Sequence, residues 1–342
     1  MDRQAIMSGM CYALPEPDQY RRGTVLKVDT DFLGSAYRRR TLDLGTDDEG
    51  PVVATLLSRP ASRPTGRAVL YLHGYVDYFF HPHVADFYVE RGFDFYALDL
   101  RKYGRSLLPH QTPNFTRNVS EYFPELDEAV RIIRAEDGHR ELLLNAHSTG
   151  GLTAALWAHH RRAEGLVDAV FLNSPFFEFN VPWLTRKTIG PMSALVSRFR
   201  PYATFPRGLR PSYGQSLHAD HHGEWEFDLA WKPLGGFPVR IGWLAAMRAA
   251  QAELQAGLDI PVPILVACST ASYRRATWSE AAMTADAVLD VAHIAGYACQ
   301  LGSHVTIVRI EGGMHDLTLS SAPVRKNVFA ELDRWLRAYL PE

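Results

Sequence analysis

The sequence predicts an α/β protein: a mostly parallel central sheet covered by helices on both faces, interrupted once by a long insertion. Three observations carry this. Short continuous apolar runs alternate with amphipathic stretches between Ala68 and Leu172 and again after Val262, which is how strands buried on both faces and their helical crossovers read. The stretch Leu142 to Leu156, LLLNAHSTGGLTAAL, reads as strand, sharp turn and helix. From Phe176 to Leu258 the alternation stops, and aromatic residues and prolines crowd in. The expected organisation is one core formed by residues 1–175 and 259–342, with residues 176–258 inserted into it.

Taken in order, residues 1–34 are mixed in character, are broken by Pro15 and Pro17, and read as a leader lying over the domain surface. Ala36 to Leu44 and Val52 to Leu57 are strand-like and flank the turn formers Asp47 to Pro51, which predicts an antiparallel hairpin at one edge of the sheet. Ala68 to Leu72 is a buried strand ending in His73-Gly74-Tyr75. A helix around Val84 to Glu90 and a strand from Gly92 to Leu100 follow. Ser120 is placed to cap a helix whose apolar positions Leu126, Val130 and Ile133 recur at helical spacing. Beyond the strand and helix around Ser148, strands are expected at Leu166 to Leu172, Val262 to Ala267 and His304 to Ile310. A last helix aligns Val328, Leu332, Trp335, Leu336 and Leu340 on one stripe.

Composition excludes several function classes. The 342 residues, 46% hydrophobic and 22% charged, suit a globular chain with a sizeable core. A formal net charge of −2 provides no global field for nucleic acid or an anionic membrane, and no nucleic-acid partner is expected. Cys11, Cys268 and Cys299 are odd in number and lack metal-ligand spacing, so neither a disulfide framework nor a zinc site is expected. No secretory signal or run of about 18 apolar residues is found, which makes a soluble, cytoplasmic protein with no integral membrane segment the expectation. His218, Asp220, His221 and His222 have metal-donor chemistry but no second cluster to join, and neither metal nor cofactor is expected.

The chemistry converges on Ser148. Ala146-His147-Ser148-Thr149-Gly150 is a G-x-S-x-G pattern with alanine at the first glycine. A serine at so tight a turn needs small neighbours, because strand and departing helix nearly touch there. The turn would hold Ser148 at the carboxyl edge of the sheet with its hydroxyl exposed; the ordinary alternative is a helix cap. A serine hydroxyl needs a base, and the base needs an acid to fix its tautomer. His315, after the last predicted strand and the Gly312-Gly313 pair, lies at the same edge. Asp286 and Asp290 both follow the strand Val262 to Ala267 and compete for the acid's role. The backbone amides of Tyr75 and Thr149 are the candidate donors to an oxyanion.

On His73-Gly74-Tyr75, Asp99 to Ser106, Ala146 to Gly151, Asn173-Ser174-Pro175, Ala285-Asp286 and Gly312 to His315, the chain resembles the α/β-hydrolases. Within them it is similar to the group of monoacylglycerol lipases, lysophospholipases and serine aminopeptidases. The resemblance implies that Ser148 is the nucleophile, His315 the base, and the Tyr75 and Thr149 amides the oxyanion hole. It favours Asp286 over Asp290, since Asp286-Ala287-Val288-Leu289 fits the family's Asp-x-hydrophobic-x stretch, although Ser269 to Thr284 is a longer polar segment than the family's. It implies that residues 176–258 form a cap over the site. The expected activity is cleavage of a small ester or lipid-like substrate with a hydrophobic acyl group. The alternatives are an aminopeptidase or amidase, with Asp77 or Glu178 holding a free amine, and an acyltransferase or non-hydrolytic binding protein. Oligomeric state is not legible.

Overall fold

The computed structural model describes residues 25–341, apart from residues 207 and 276. Nine strands form one sheet: β1 (Val25–Asp31), β2 (Gly34–Asp47), β3 (Gly50–Arg59), β4 (Arg67–Leu72), β5 (Phe93–Asp99), β6 (Glu141–His147), β7 (Ala169–Asn173), β8 (Ile264–Ser269) and β9 (Val305–Ile310). Their order is β1-β2-β3-β5-β4-β6-β7-β8-β9. β1, β2 and β3 pair antiparallel, and β3 joins β5 antiparallel; all pairings from β5 through β9 are parallel. This is the α/β-hydrolase arrangement, with the mostly parallel sheet that the alternation of apolar runs predicts.

Eight α-helices are described: α1 (Pro82–Val89), α2 (Phe123–Arg131), α3 (Thr149–His160), α4 (Trp183–Ser197), α5 (Ser212–Leu217), α6 (Ile241–Ala256), α7 (Val291–Ala298) and α8 (Ala322–Tyr339). Strand residues alternate between two apolar cores, one on each face. In β6, Leu142, Leu144 and Ala146 join the core that contains α2, α3, α6 and α7, while Leu143 joins the one beneath α1 and α8. The stripe of α8 expected from its periodicity, Val328, Leu332, Trp335 and Leu336, is buried in that second core.

Two local expectations are corrected. The hairpin is β2–β3, but it does not form the edge, because Val25–Asp31 of the supposed leader adds β1 outside it. Asp31 anchors that strand through a buried two-pronged contact with Arg105, which also binds Asp99. Residues 1–24 of the leader lie outside the described residues. Ser120 does not cap the helix: the Asn118 side chain accepts its amide, and a 3-10 turn at Val119–Tyr122 runs into α2. The stretch between β7 and β8, where the sequence shows no strand-helix alternation, carries the helices α4, α5 and α6 and none of the nine strands.

Candidate active site

β6 ends at His147, and α3 leaves the next turn at Thr149, so Ser148 is the whole connection. Its backbone has φ 53° and ψ −119°, a conformation L-residues seldom adopt. The two glycines that follow are required by close approach. A Cβ at Gly150 would lie 2.2 Å from the His73 carbonyl oxygen, and one at Gly151 would lie 2.8 Å from Pro175 Cβ. Ala146 stays within the core, and its single methyl is accommodated there.

The turn directs Ser148 at His315, which sits beyond β9. The Ser148 Oγ hydroxyl lies 2.9 Å from His315 Nε2, and His315 Nδ1 lies 2.9 Å from Asp286 Oδ2. A carboxylate on the Nδ1 side assigns the proton there, leaving Nε2 as the acceptor for the serine. Asp286 is itself fixed: its other oxygen accepts the amides of Val288 and Leu289, and its own amide and carbonyl bridge to Ala271 and Tyr273. Asp290 is not part of this relay. It caps α7 by accepting the amide of Ala292 and pairs with Arg274. The long polar segment before Asp286 folds back along it, since Ser272 and Asp286 form a β-bridge.

Ser148, His315 and Asp286 are 6%, 2% and 0% exposed. The expectation of an exposed serine hydroxyl is therefore corrected. Phe176 reaches the turn itself, donating its amide to the Ser148 carbonyl, and Tyr213 of α5 lies edge-on to the His315 ring. Tyr75 stacks on Trp243 of α6 at 4.0 Å, and Phe179 meets both Phe176 and Trp243 edge-on. The stretch between β7 and β8 thus provides an aromatic wall around the serine.

The Tyr75 amide owes its direction to His73, a role that sequence reasoning missed. His73 Nε2 accepts the Leu100 amide at 3.0 Å, so Nδ1 carries the proton and donates to the Gly74 carbonyl at 2.8 Å. In a trans peptide the carbonyl and the next N–H point opposite ways, so this bond turns the Tyr75 N–H away from His73. Among the described residues, the amides of Tyr75 and Thr149 donate no hydrogen bond. The approach of the Gly74 Cβ position to within 3.0 Å of Ser148 Cβ sets the loop against the serine.

Asn173, at the end of β7, joins the pieces. Its carbonyl accepts the Ser148 amide and lies 3.1 Å from His147 Nδ1, while its side chain bonds Asp316 and the Leu317 amide in the loop that carries His315. Burial works to raise the Asp316 carboxyl, but the nearby His147 and His81 and hydrogen bonds from Thr318 and Asn173 outweigh it and hold the group well below the usual carboxylate range. Burial holds His147 below its ordinary value and His81 down to about 3. Both acids considered for holding a free amine are paired. Asp77 binds Lys232 at 2.6 Å, and Glu178 binds Arg248, both in buried surroundings.

Of the candidate metal donors, His218 lies 3.6 Å from Asp220 and edge-on to His221 and Phe227, while His222 stacks on Trp278. Among the described residues, no three His, Cys, Asp or Glu side chains come together to hold a metal ion. A groove of about 820 Å³ lined by Tyr37, Arg38, Arg40, Arg59 and Tyr96 contains none of the relay residues.

The family model for serine aminopeptidases, S33, matches residues 63–320. The chain belongs to this family. It is a hydrolase, and this S33 hydrolase shares its fold with solved structures of low sequence identity. A soluble variant of monoglyceride lipase from Saccharomyces cerevisiae, in complex with a substrate analog, superposes with a TM-score of 0.63 at 15% identity, covering 95% of this chain and 100% of the other. Monoacylglycerol lipase from Paleococcus ferrophilus gives 0.61 at 18% identity, over 83% and 99% of the two chains. A thermostable carboxyl esterase from Bacillus coagulans, in complex with glycerol, gives 0.60 at 13%, over 88% and 98%. Among curated proteins no sequence matches it. Among the described residues, no helix of this S33 hydrolase is long and apolar enough to cross a membrane.

Proposed function

We propose that the protein hydrolyses carboxylic esters with a hydrophobic acyl group through an acyl-enzyme on Ser148. The observation that carries this is the unbroken hydrogen-bonded line from Ser148 Oγ through the His315 ring to Asp286. As Oγ attacks the carbonyl carbon, its proton passes to His315 Nε2, and Asp286 stabilises the resulting imidazolium. The amides of Tyr75 and Thr149 receive the oxyanion. His315 then gives its proton to the alcohol oxygen as the C–O bond breaks, and a water repeats the sequence on the acyl-enzyme to release the acid and restore Ser148.

Residues 176–258 act as the cap, contributing Phe176, Phe179, Tyr213 and Trp243 to a wall that suits an acyl chain. The family's name raises the peptidase reading. Against it, Asp77 is already neutralised by Lys232 and Glu178 by Arg248, so neither presents a free carboxylate to an α-ammonium group. The neighbouring folds named as lipases and an esterase add support.

The test is a comparison of p-nitrophenyl esters of graded chain length with amino-acid amides. Each added methylene buried is worth about 0.8 kcal/mol, so kcat/KM is expected to rise roughly fourfold per methylene and then level off. Faster cleavage of amino-acid amides than of any ester overturns the ester reading.

A further inference from the structure

Helix α4 is inverted. A helix covering a core turns its apolar stripe inward, yet the one buried residue of α4 is Ser193. Apart from Ile189, which packs against the core, its large apolar side chains face out: Trp183 is 60% exposed, Leu184 61%, Met192 65%, Leu195 60% and Val196 41%, with Phe199 just beyond at 79%. Leu184, Met192, Leu195 and Phe199 recur at intervals of eight, three and four residues, which places them on one side. Side chains of this size left in water along a single line are the mark of a contact surface rather than of a scattered exterior.

The charges around this stripe have one sign. From Val181 to Ala219 the sequence contains Arg186, Lys187, Arg198, Arg200, Arg207 and Arg210 and no acidic residue, within a chain of formal net charge −2. Lys187, Arg198 and Arg200 have no carboxylate partner among the described residues; Lys187 instead lies 4.9 Å over the Trp183 ring. A helix of 15 residues is too short to span a bilayer, but an apolar stripe edged by tryptophan and basic side chains suits a position in the plane of its surface.

We propose that α4 docks this protein on an anionic lipid surface, with the Leu184–Phe199 stripe among the acyl chains and the flanking Lys187, Arg198 and Arg200 among the headgroups. A second copy of the chain is the other occupant of such a stripe, but two copies would bring the same unpaired cations together, whereas lipid phosphates neutralise them. The surface goes beyond the ester reading and does not depend on it, because its test measures binding without turnover.

The full chain carrying Ser148→Ala is floated with vesicles of phosphatidylcholine alone and with vesicles containing about a third phosphatidylglycerol. Flotation is expected with the anionic vesicles and not with the neutral ones. Replacing Lys187, Arg198 and Arg200 together with Gln is expected to lower partitioning on the order of a hundredfold, since each basic residue near such a surface is worth roughly fivefold. Leu195→Asp and Phe199→Asp, at exposed positions that leave packing intact, are each expected to lower it by at least about tenfold. Equal binding to both vesicle types, or none to either, overturns the proposal. So does concentration-dependent dimerisation in sedimentation velocity that the Asp substitutions abolish while vesicles remain unbound.

Discussion

Ser148 is held at a backbone conformation better suited to glycine, so its side chain is retained at a conformational cost. Ser148→Gly is expected to be more stable than Ser148→Ala by about 1 kcal/mol, with both variants reduced in kcat by several orders of magnitude. Thermal unfolding and ester turnover test the two halves separately; comparable stability of the two variants would show that the turn is not strained. The aspartates divide similarly. Asp286→Asn is expected to lower kcat by roughly 10⁴, because an amide cannot hold His315 in its tautomer. Asp290→Asn is expected to leave activity and stability nearly unchanged, since asparagine also caps helices. A large loss of turnover in Asp290→Asn would reassign the acid.

His81 provides a pH signature at the same scale. Both its ring nitrogens are buried without a partner, and burial pushes its pKa from 6.5 down to about 3. The unfolded chain therefore takes up a proton near pH 6.5 that the folded chain refuses. The associated stability is fully present above pH 6.5 and is lost as the pH falls toward about 3, at up to about 1.4 kcal/mol per pH unit. His81→Phe, placed among Tyr71, Phe79 and Phe80, is expected to flatten this part of the acid dependence in denaturant titrations. An unchanged slope would show that His81 is protonated in the native protein.

Between elements, α3 makes a close contact where it crosses the end of β4. Gly150→Ala would drive a methyl into the carbonyl oxygens of His73 and Leu72, neither of which can rotate aside. It is expected to destabilise by a few kcal/mol and to lower kcat as well, because the displaced residues lead into the Tyr75 amide. Gly151→Ala meets a proline side chain at the other end of the turn and is expected to cost less. The elements around this contact were legible in sequence because each signal is local: an apolar run, a small-residue turn, a stripe at helical spacing. Helix α4 was not, since Pro191 lies inside it and reads as a breaker. β1 was hidden by its position at an edge, where no continuous apolar run is required.

At the scale of the whole molecule, the sequence offered Ser148, His315 and two aspartates, Asp286 and Asp290, as candidates because each follows a recognisable strand, while the preference for Asp286 rested on the family resemblance. The sequence could not locate the contacts that hold the strand ends and the inserted stretch in register, as these join residues far apart in the chain. Asp77 and Lys232 are the clearest case: 155 residues apart, they form a buried ion pair between the loop carrying the Tyr75 amide and the stretch after α5. Burial works to raise the Asp77 carboxyl, but Lys232 outweighs it and holds the group below the usual range. Removing one partner strands the other charge in the interior, so Lys232→Met is expected to destabilise by roughly 3–5 kcal/mol. Asp77→Asn with Lys232→Met removes both charges and is expected to recover much of that loss, giving a coupling energy of at least about 1 kcal/mol in a double-mutant cycle. If the bridge also fixes the donor loop, kcat should fall in Lys232→Met and partly return in the double variant while KM changes little. Additive effects on both stability and kcat would mean that Asp77 and Lys232 are not energetically coupled.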